Sequence, residues 1–369
     1  MKFLINASNL RVGGGLQVTD SICSELCKFT QHQFVCVLSS TLNKTIDRIN
    51  DFKNIKVFEY DIKNSFNSIF WGRDQFLDQL VEKENIDAVL TIFGPSRWNP
   101  RCPHLCGFAR AQLLLTDSPY YKKLTIKEKI LYKIWTISFK RSSKCFYTEN
   151  PYISSMLPTL LGKDIKVYSV TNYYNQVFDH PNNWKIHKLP TFDGTTLLTI
   201  STFYPHKNLT IAIDIAKILK KTHSDFHFRF VYSFDEKEFP FIEESLKEHF
   251  LFIGRVDVAE CPSLYKQANI AFQPTLMECF TATYPEAMRM KVPIVTTDLE
   301  FARGLCGDAA YYYYAVNPKA AAEAIYKVAT DTELAQRLVE EGKNQLLKFD
   351  NYEQRAEKLI KILESLAER

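Results

Sequence analysis

Long hydrophobic runs are missing. No stretch of the 369 residues approaches the ~20 apolar residues that a membrane-spanning helix needs. Phe3-Leu4-Ile5 before Asn6 falls short of the ~7–15 apolar residues of a signal peptide, which predicts a chain kept in the cytoplasm. Charge of one sign is also scarce: 46 Lys+Arg stand against 42 Asp+Glu, and a net +4 is too mild to argue for nucleic acid. The chain has no recognisable nucleic-acid-binding motif either. The nine cysteines are odd in number. Cys23/Cys27 and Cys102/Cys106 lack a second pair at zinc-site spacing, so free thiols in a reducing compartment are expected and no metal site is. No repeat of 20–50 residues and no low-complexity tract is present.

What is there is an ordinary globular composition, with 46% hydrophobic and 24% charged residues. The length suggests two domains, each large enough to bury its own core. Strand-like runs alternate with helix-like ones. Lys2–Ala7 precedes Gly13-Gly14-Gly15 and the helical pattern Val18, Ile22, Leu26. Further strands are expected at Gln33–Ser39, Ile55–Tyr60, Ala88–Phe93, His104–Ala109, Lys144–Thr148 and Ile165–Val170. The stretch Tyr173–Phe192 has little periodicity and reads as a linker. The alternation restarts at Thr196–Thr202 and continues through His227–Tyr232, Phe250–Gly254, Ile270–Pro274 and Ile294–Thr297. Such alternation predicts α/β architecture with largely parallel sheets covered on both faces. The expected division is a first domain over 1–175, a linker over 176–192, a second domain over 193–350 and an amphipathic final helix over 351–369.

Four loops at strand ends carry candidate chemistry. The strongest is Met277–Met288, where Glu278 and Glu286 are eight residues apart, just after the strand Ile270–Pro274. If the intervening chain is helical, the pair spans about 12 Å. That matches the distance from sugar to ribose across the diphosphate of a nucleotide sugar. Helix-start N–H groups between the two glutamates would then face the phosphates, Glu286 the ribose hydroxyls and Glu278 those of the sugar. The alternative is two exposed glutamates on an ordinary helix.

The second loop is Ser201–Leu209. It joins the first strand of the second half to its first helix and holds Lys207, a point charge suited to a diphosphate. Gly13-Gly14-Gly15 is the third. It is neither a complete dinucleotide fingerprint nor a P-loop. Gly14 and Gly15 either allow a ligand close to the backbone or form a flexible turn. The fourth is Gly254-Arg255-Val256, whose Arg255 is either a base or phosphate contact or a surface arginine.

Lys122–Lys144 carries eight basic residues and one acid, Glu128, interleaved with isoleucines and Trp135. Two readings stay open. One is a basic amphipathic helix on a membrane surface, with Lys127, Lys133, Trp135, Lys140 and Arg141 toward it. The other is a core helix with a lysine-rich wet face.

Taken together, these loops resemble one family. Pro205-His206-Lys207-Asn208-Leu209, Phe252-Ile253-Gly254-Arg255-Val256, Leu264-Tyr265 with Ala268, Pro274 followed by Glu278 and Glu286-Ala287-Met288, Pro293-Ile294-Val295 and Gly307-Asp308-Ala309-Ala310 stand in its order and spacing. The second half is similar to family 4 retaining glycosyltransferases (glycosyl transferases group 1) over roughly Thr196–Tyr314. Ser201 stands where that family usually has Arg, and Gly107–Arg110 where it often has His. The resemblance implies the GT-B fold: two Rossmann-like α/β/α domains facing across a cleft, with the last helix crossing back to the first domain. It implies Lys207 on the donor diphosphate, Glu286 on the ribose, Glu278 on the sugar, and Phe280 and Thr281 supporting the phosphates. The base would lie near Gly254, Arg255 and Val256, with Gly14 and Gly15 lining the cleft. It implies a hexosyl transfer with retention from a nucleotide-diphosphate sugar, without metal or other cofactor. The acceptor would be a glycan or lipid-linked sugar of surface polysaccharide synthesis, handled by the first domain at the inner face of the cytoplasmic membrane. A sugar-nucleotide epimerase and an inactive nucleotide-sugar binder are the rival readings.

Overall fold

The computed structural model describes residues 1–63, 68 and 71–368. Its strands form two sheets, and every strand pairing is parallel. Elements are numbered in chain order. The first sheet holds β1 (Lys2–Ala7), β2 (Gln33–Leu38), β3 (Ile55–Glu59), β4 (Ala88–Thr91), β5 (His104–Gly107), β6 (Cys145–Thr148) and β7 (Lys166–Ser169), in the order β3-β2-β1-β4-β5-β6-β7. Its helices are α1 (Gly14–Glu25), α2 (Asn43–Ile49), α3 (Gln75–Lys83), α4 (Ile126–Ser142) and α5 (Pro151–Leu161). The second sheet holds β8 (Thr195–Thr199), β9 (Phe228–Tyr232), β10 (Phe250–Phe252), β11 (Ile270–Gln273), β12 (Ile294–Thr297) and β13 (Ala310–Tyr313), in the order β10-β9-β8-β11-β12-β13. With it go α6 (Ile211–Thr222), α7 (Cys261–Tyr265), α8 (Thr283–Arg289), α9 (Glu300–Cys306), α10 (Pro318–Thr330) and α11 (Thr332–Leu346). The last helix is α12 (Tyr352–Ala367); Arg369, the expected end of the chain's final helix, lies outside the described residues.

The chain divides into two compact units. The first comprises Met1–Thr116, Leu124–Asn172 and Asp350–Arg369, and the second Asp117–Lys123 and Tyr173–Phe349. The expected linker over 176–192 therefore lies within the second unit. It is tied there by Lys185 N–H donating to Ala259 O at 2.9 Å and by His187 against Glu260 at 3.0 Å. Asp117–Lys123 also belongs to the second unit, where Ser118 Oγ donates to Leu276 O at 2.7 Å. These ties are single hydrogen bonds with no periodic signature in the sequence.

Each core follows from the strand pattern. A parallel strand buried on both faces must be apolar throughout, and Phe3, Leu4 and Ile5 of β1 have no exposure. In the first unit, Leu359, Ile360, Leu363 and Leu366 of α12 pack with Val18, Ile22 and Leu26 of α1. Arg355 anchors the same helix. It is buried, its guanidinium donates to Ser21 Oγ at 2.7 Å, and it also bonds Asn172 Oδ1. Asn351 and Gln354 close the start of α12 as a capping box. In the second unit, rings from Phe228, Phe230, Tyr232, Phe250 and Phe272 stack around the sheet. The strand β13 has no counterpart in the predicted set, although its tyrosine run is a strong strand former.

α4 starts on the capping box of Thr125 and Glu128. Ile126, Ile130, Ile134 and Ile137 are 78%, 54%, 49% and 49% exposed, so the core-helix reading fails on these residues. Lys127, Lys133, Lys140 and Arg141 are exposed alongside them. Trp135 departs from the expected outward set. It is half-buried on the opposite side of the helix, with the Arg110 guanidinium 4.6 Å from its ring. The helical period explains this: Trp135 is about 160° round from Ile137 at 100° per residue.

Candidate functional site

In open parallel sheets, ligands bind beyond the carboxyl ends of the strands, where the strand order reverses. In the second unit that reversal lies between β8 and β11. The loop after β8 ends in a short 3-10 turn, Pro205–Lys207, closed by Asn208 in the left-handed conformation at φ 53°. The loop after β11 carries Glu278. Its backbone is fixed on the first loop, because Leu276 N–H donates to His206 O at 2.8 Å.

These two loops bring Lys207 and Glu278 together, with Nζ 2.5 Å from Oε1. The side chains are only 13% and 12% exposed. Thr275 Oγ1 donates to the same carboxylate oxygen at 3.1 Å. His206 Nε2 lies 3.7 Å from it, and burial holds the imidazole below its ordinary value in spite of that carboxylate. The His206 ring is stacked on Tyr204 and meets Tyr120 edge-on at 5.9 Å. His206, Thr275 and Tyr120 carry no role in the sequence pattern. The adjacency of His206 to Lys207 was the available signal; Tyr120 is remote in sequence and gave none.

Glu286 is set deeper, on α8. The reading as an exposed helical glutamate is corrected: it is 8% exposed and accepts a hydrogen bond from Tyr265 OH at 3.1 Å. Burial pushes its carboxyl up to about 7, with the Tyr265 bond opposing. The assumed helix between the two glutamates is also corrected. α8 begins only at Thr283, so residues 278–282 form a loop and the spacing of 1.5 Å per residue does not apply across them. Pro274 at the strand end and the contacts of Leu276 and Thr275 with the neighbouring loop hold this segment out of the helix.

Phe280 is half-buried with its ring edge-on to Phe349 at 6.1 Å, and Thr281 is buried with its hydroxyl 2.9 Å from that of Thr283. Gly254, Arg255 and Val256 follow β10 at the edge of the sheet. That edge lies two strand spacings, roughly 10 Å, from β8. Gly254 has φ 71°, which explains the glycine, and Arg255 is exposed.

In the first unit, Gly14 and Gly15 open α1 after the turn at Gly13, whose φ is 81°. A Cβ on Gly14 would meet open space, and one on Gly15 would touch Leu10 and Phe93 at 3.4 Å. His104 is a core residue. Its Nδ1 is 2.6 Å from Ser142 O, its Nε2 is 2.9 Å from Thr91 Oγ1, and burial pushes it down to about 4. Among the described residues, no group of three or more His, Cys, Asp or Glu is arranged to hold a metal, and no helix is long and apolar enough to cross a membrane.

A cation–carboxylate pair at one switch point, with a buried carboxyl behind it, suits a ligand that is anionic in one part and rich in hydroxyls in another. The comparisons agree with this chemistry. Residues 183–345 match the family described as Glycosyl transferases group 1. A phosphatidyl-myo-inositol mannosyltransferase of Mycobacterium leprae is 24% identical over 178 residues, which is 47% of this chain and 47% of that protein. The match thus spans about half the length of that relative. A glycosyltransferase from Rickettsia africae superposes with a TM-score of 0.70 at 16% identity, covering 99% of this chain and 98% of the other. HepE from Anabaena, solved with UDP and glucose, gives a TM-score of 0.67 at 13% identity, covering 99% and 100%. Two parallel sheets of 7 and 6 strands in this order are the GT-B fold, and residues 183–345 are similar to the group 1 glycosyl transferases.

Proposed function

We propose that the protein is a retaining glycosyltransferase that moves a hexosyl group from a nucleotide-diphosphate sugar to a glycan or lipid-linked acceptor in surface polysaccharide synthesis. The observation that carries the reading is the half-buried Lys207–Glu278 pair at the β8/β11 switch point, within the residues similar to the group 1 glycosyl transferases. Incoming diphosphate competes for the Lys207 ammonium. Glu278, released from that ion pair, accepts hydroxyls of the donor sugar. Glu286 accepts ribose hydroxyls, Phe280 and Thr281 support the phosphates through their backbone, and the base lies toward Gly254–Val256. HepE, solved with UDP and glucose, supports a nucleotide-diphosphate donor.

The step itself is a front-face displacement. The bond from the sugar's anomeric carbon to the diphosphate oxygen breaks, the acceptor oxygen bonds that carbon on the same face, and its proton passes to the departing oxygen. Lys207 stabilises the charge that develops there, and the step is proposed to run without metal. The first unit takes the acceptor, near Gly14 and Gly15. The name of the mycobacterial relative, a phosphatidyl-myo-inositol mannosyltransferase, supports a lipid-linked acceptor. The isoleucine stripe and flanking Lys127, Lys133, Lys140 and Arg141 of α4 support peripheral attachment to the cytoplasmic face of a membrane.

The test is a thermal-shift panel of UDP-, GDP-, dTDP- and ADP-sugars on the wild type and Glu286→Gln. A ligand that binds only the folded state raises Tm by mass action. The reading expects one nucleotide class to stabilise the wild type and to lose most of that shift in the variant. No shift from any donor would overturn it.

A further inference from the structure

The first sheet has its own reversal of strand order, between β1 and β4. A cavity of about 260 Å³ lies at the carboxyl ends of these strands. Asn9 and Arg11 line it from the loop after β1, Pro95 and Arg97 from the loop after β4, Arg110 from the loop after β5, and Trp135 from α4. All of these residues belong to the first unit.

Three arginines on one small cavity call for an anion. Arg11 pairs with Asp61 at 3.2 Å, and that carboxylate is 45% exposed at the protein surface. Arg97 is half-buried, and among the described residues no carboxylate pairs with it. Burial and the like charge of Arg11 hold its guanidinium below the ordinary value, so the fold keeps two cations close while, among the described residues, only Arg11 has a carboxylate partner, Asp61. Arg97 also holds φ at 56°, a left-handed conformation that an arginine adopts only where its surroundings impose it. Asn9 adds a different demand. Its Nδ2 donates to Phe93 O at 2.8 Å, while its Oδ1 is buried without a partner among the described residues. An acceptor atom of that kind suits a hydroxyl donor.

Guanidinium forks recognise phosphate and carboxylate oxygens, and an amide oxygen recognises a hydroxyl. The cavity is smaller than the roughly 300–1,000 Å³ of drug-sized sites, which fits one sugar unit rather than a nucleotide sugar. We infer that this cavity is the acceptor subsite and that the acceptor sugar carries a phosphate or carboxylate held by Arg97 and Arg11, with a hydroxyl on Asn9. The inference rests on the proposal that the first unit takes the acceptor.

The test titrates the full-length protein with inorganic phosphate, glucuronate and neutral methyl glucoside by calorimetry. Phosphate and glucuronate are expected to bind, with an affinity that falls as salt rises, and methyl glucoside to bind at least tenfold more weakly. Arg97→Gln is expected to weaken both anions at least tenfold, and Arg97→Lys to restore part of the loss. Equal binding of anions and methyl glucoside, equal binding by the wild type and Arg97→Gln, or no anion binding at all would overturn the inference. Phosphatidylglycerol vesicles form a separate arm. Vesicle binding that depends on Arg97 without any binding of the soluble anions would assign the cavity to a lipid headgroup instead and overturn the acceptor subsite. The nucleotide-sugar panel run on the same samples separates the two readings. A donor shift without anion binding sinks this inference alone, and anion binding without a donor shift sinks the donor reading alone.

Discussion

Lys207 Nζ lies 2.5 Å from Glu278 Oε1, and each side chain neutralises the other in a half-buried setting. The two residues are 71 positions apart in sequence and meet because β8 and β11 are neighbours in the sheet. Removing either partner leaves the other charge desolvated and unpaired. Lys207→Ala is expected to lower kcat for transfer by roughly 10²–10³-fold, the loss typical of one group that stabilises developing charge. Glu278→Gln is expected to lower kcat/KM as well. Because the residues touch, the double variant departs from additivity by about 0.5–3 kcal/mol in a double-mutant cycle on kcat/KM.

Glu286 gives the protein a pH signature. Its carboxyl titrates near 4.5 when unfolded and is pushed up to about 7 by burial in the fold. The folded state therefore binds more protons than the unfolded state between those values, and stability falls as pH rises through this window. The contribution is about 3 kcal/mol, fully lost above pH 7. Glu149, also buried and also raised to about 7, adds a second contribution of the same sign. Urea unfolding from pH 4.5 to 8 is expected to show this decline, and Glu286→Gln to remove about half of it.

Arg355 ties α12 to Ser21 and Asn172 and faces the buried Glu149 carboxyl. Arg355→Ala is expected to cost about 3–5 kcal/mol in denaturant unfolding, because it strips buried polar groups of their partner. Leu363→Ala, on the same helix with no exposure, is expected to cost about 2–5 kcal/mol through the cavity it leaves.

The exposed stripe of α4 makes a separable prediction. Ile130→Ser with Ile134→Ser is expected to change unfolding free energy by less than about 1 kcal/mol, since both side chains already face water. The same pair is expected to abolish sedimentation with phosphatidylglycerol vesicles. Raising salt is expected to weaken wild-type binding through the lysines.

Metal chelation is the last check. With Lys207 as the proposed cation at the leaving diphosphate, turnover is expected to be unchanged within twofold by excess EDTA. A loss restored by added divalent cation would overturn the metal-free step.

Several elements were legible from sequence because their physics is local. The final helix is one: its amphipathic pattern predicts a helix within 351–369, and α12 occupies Tyr352–Ala367. The apolar runs of β1, β2 and β11 announce buried parallel strands for the same reason. The resemblance then singled out Lys207, Glu278 and Glu286 by order and spacing. β13 escaped because a run of tyrosines shows no alternation, although its aromatic content favoured a strand.

By itself, then, the sequence determined the α/β class, the two sheets' worth of strands and the residues most worth watching in the second half. Those follow from periodicity and composition, which act over a few residues. Tertiary structure alone decided that Lys207 and Glu278 pair, that Glu286 is buried against Tyr265 and that the loop before α8 is not helical. It also turned Trp135 inward, left the α4 isoleucines in water and gathered Arg11, Arg97 and Arg110 around one cavity. The helical period puts Trp135 and the isoleucines on opposite sides of α4, but which side meets the protein, and the other pairings, depend on which elements become neighbours and where the strand order reverses. That is settled by packing between segments tens of residues apart, and no local pattern encodes it.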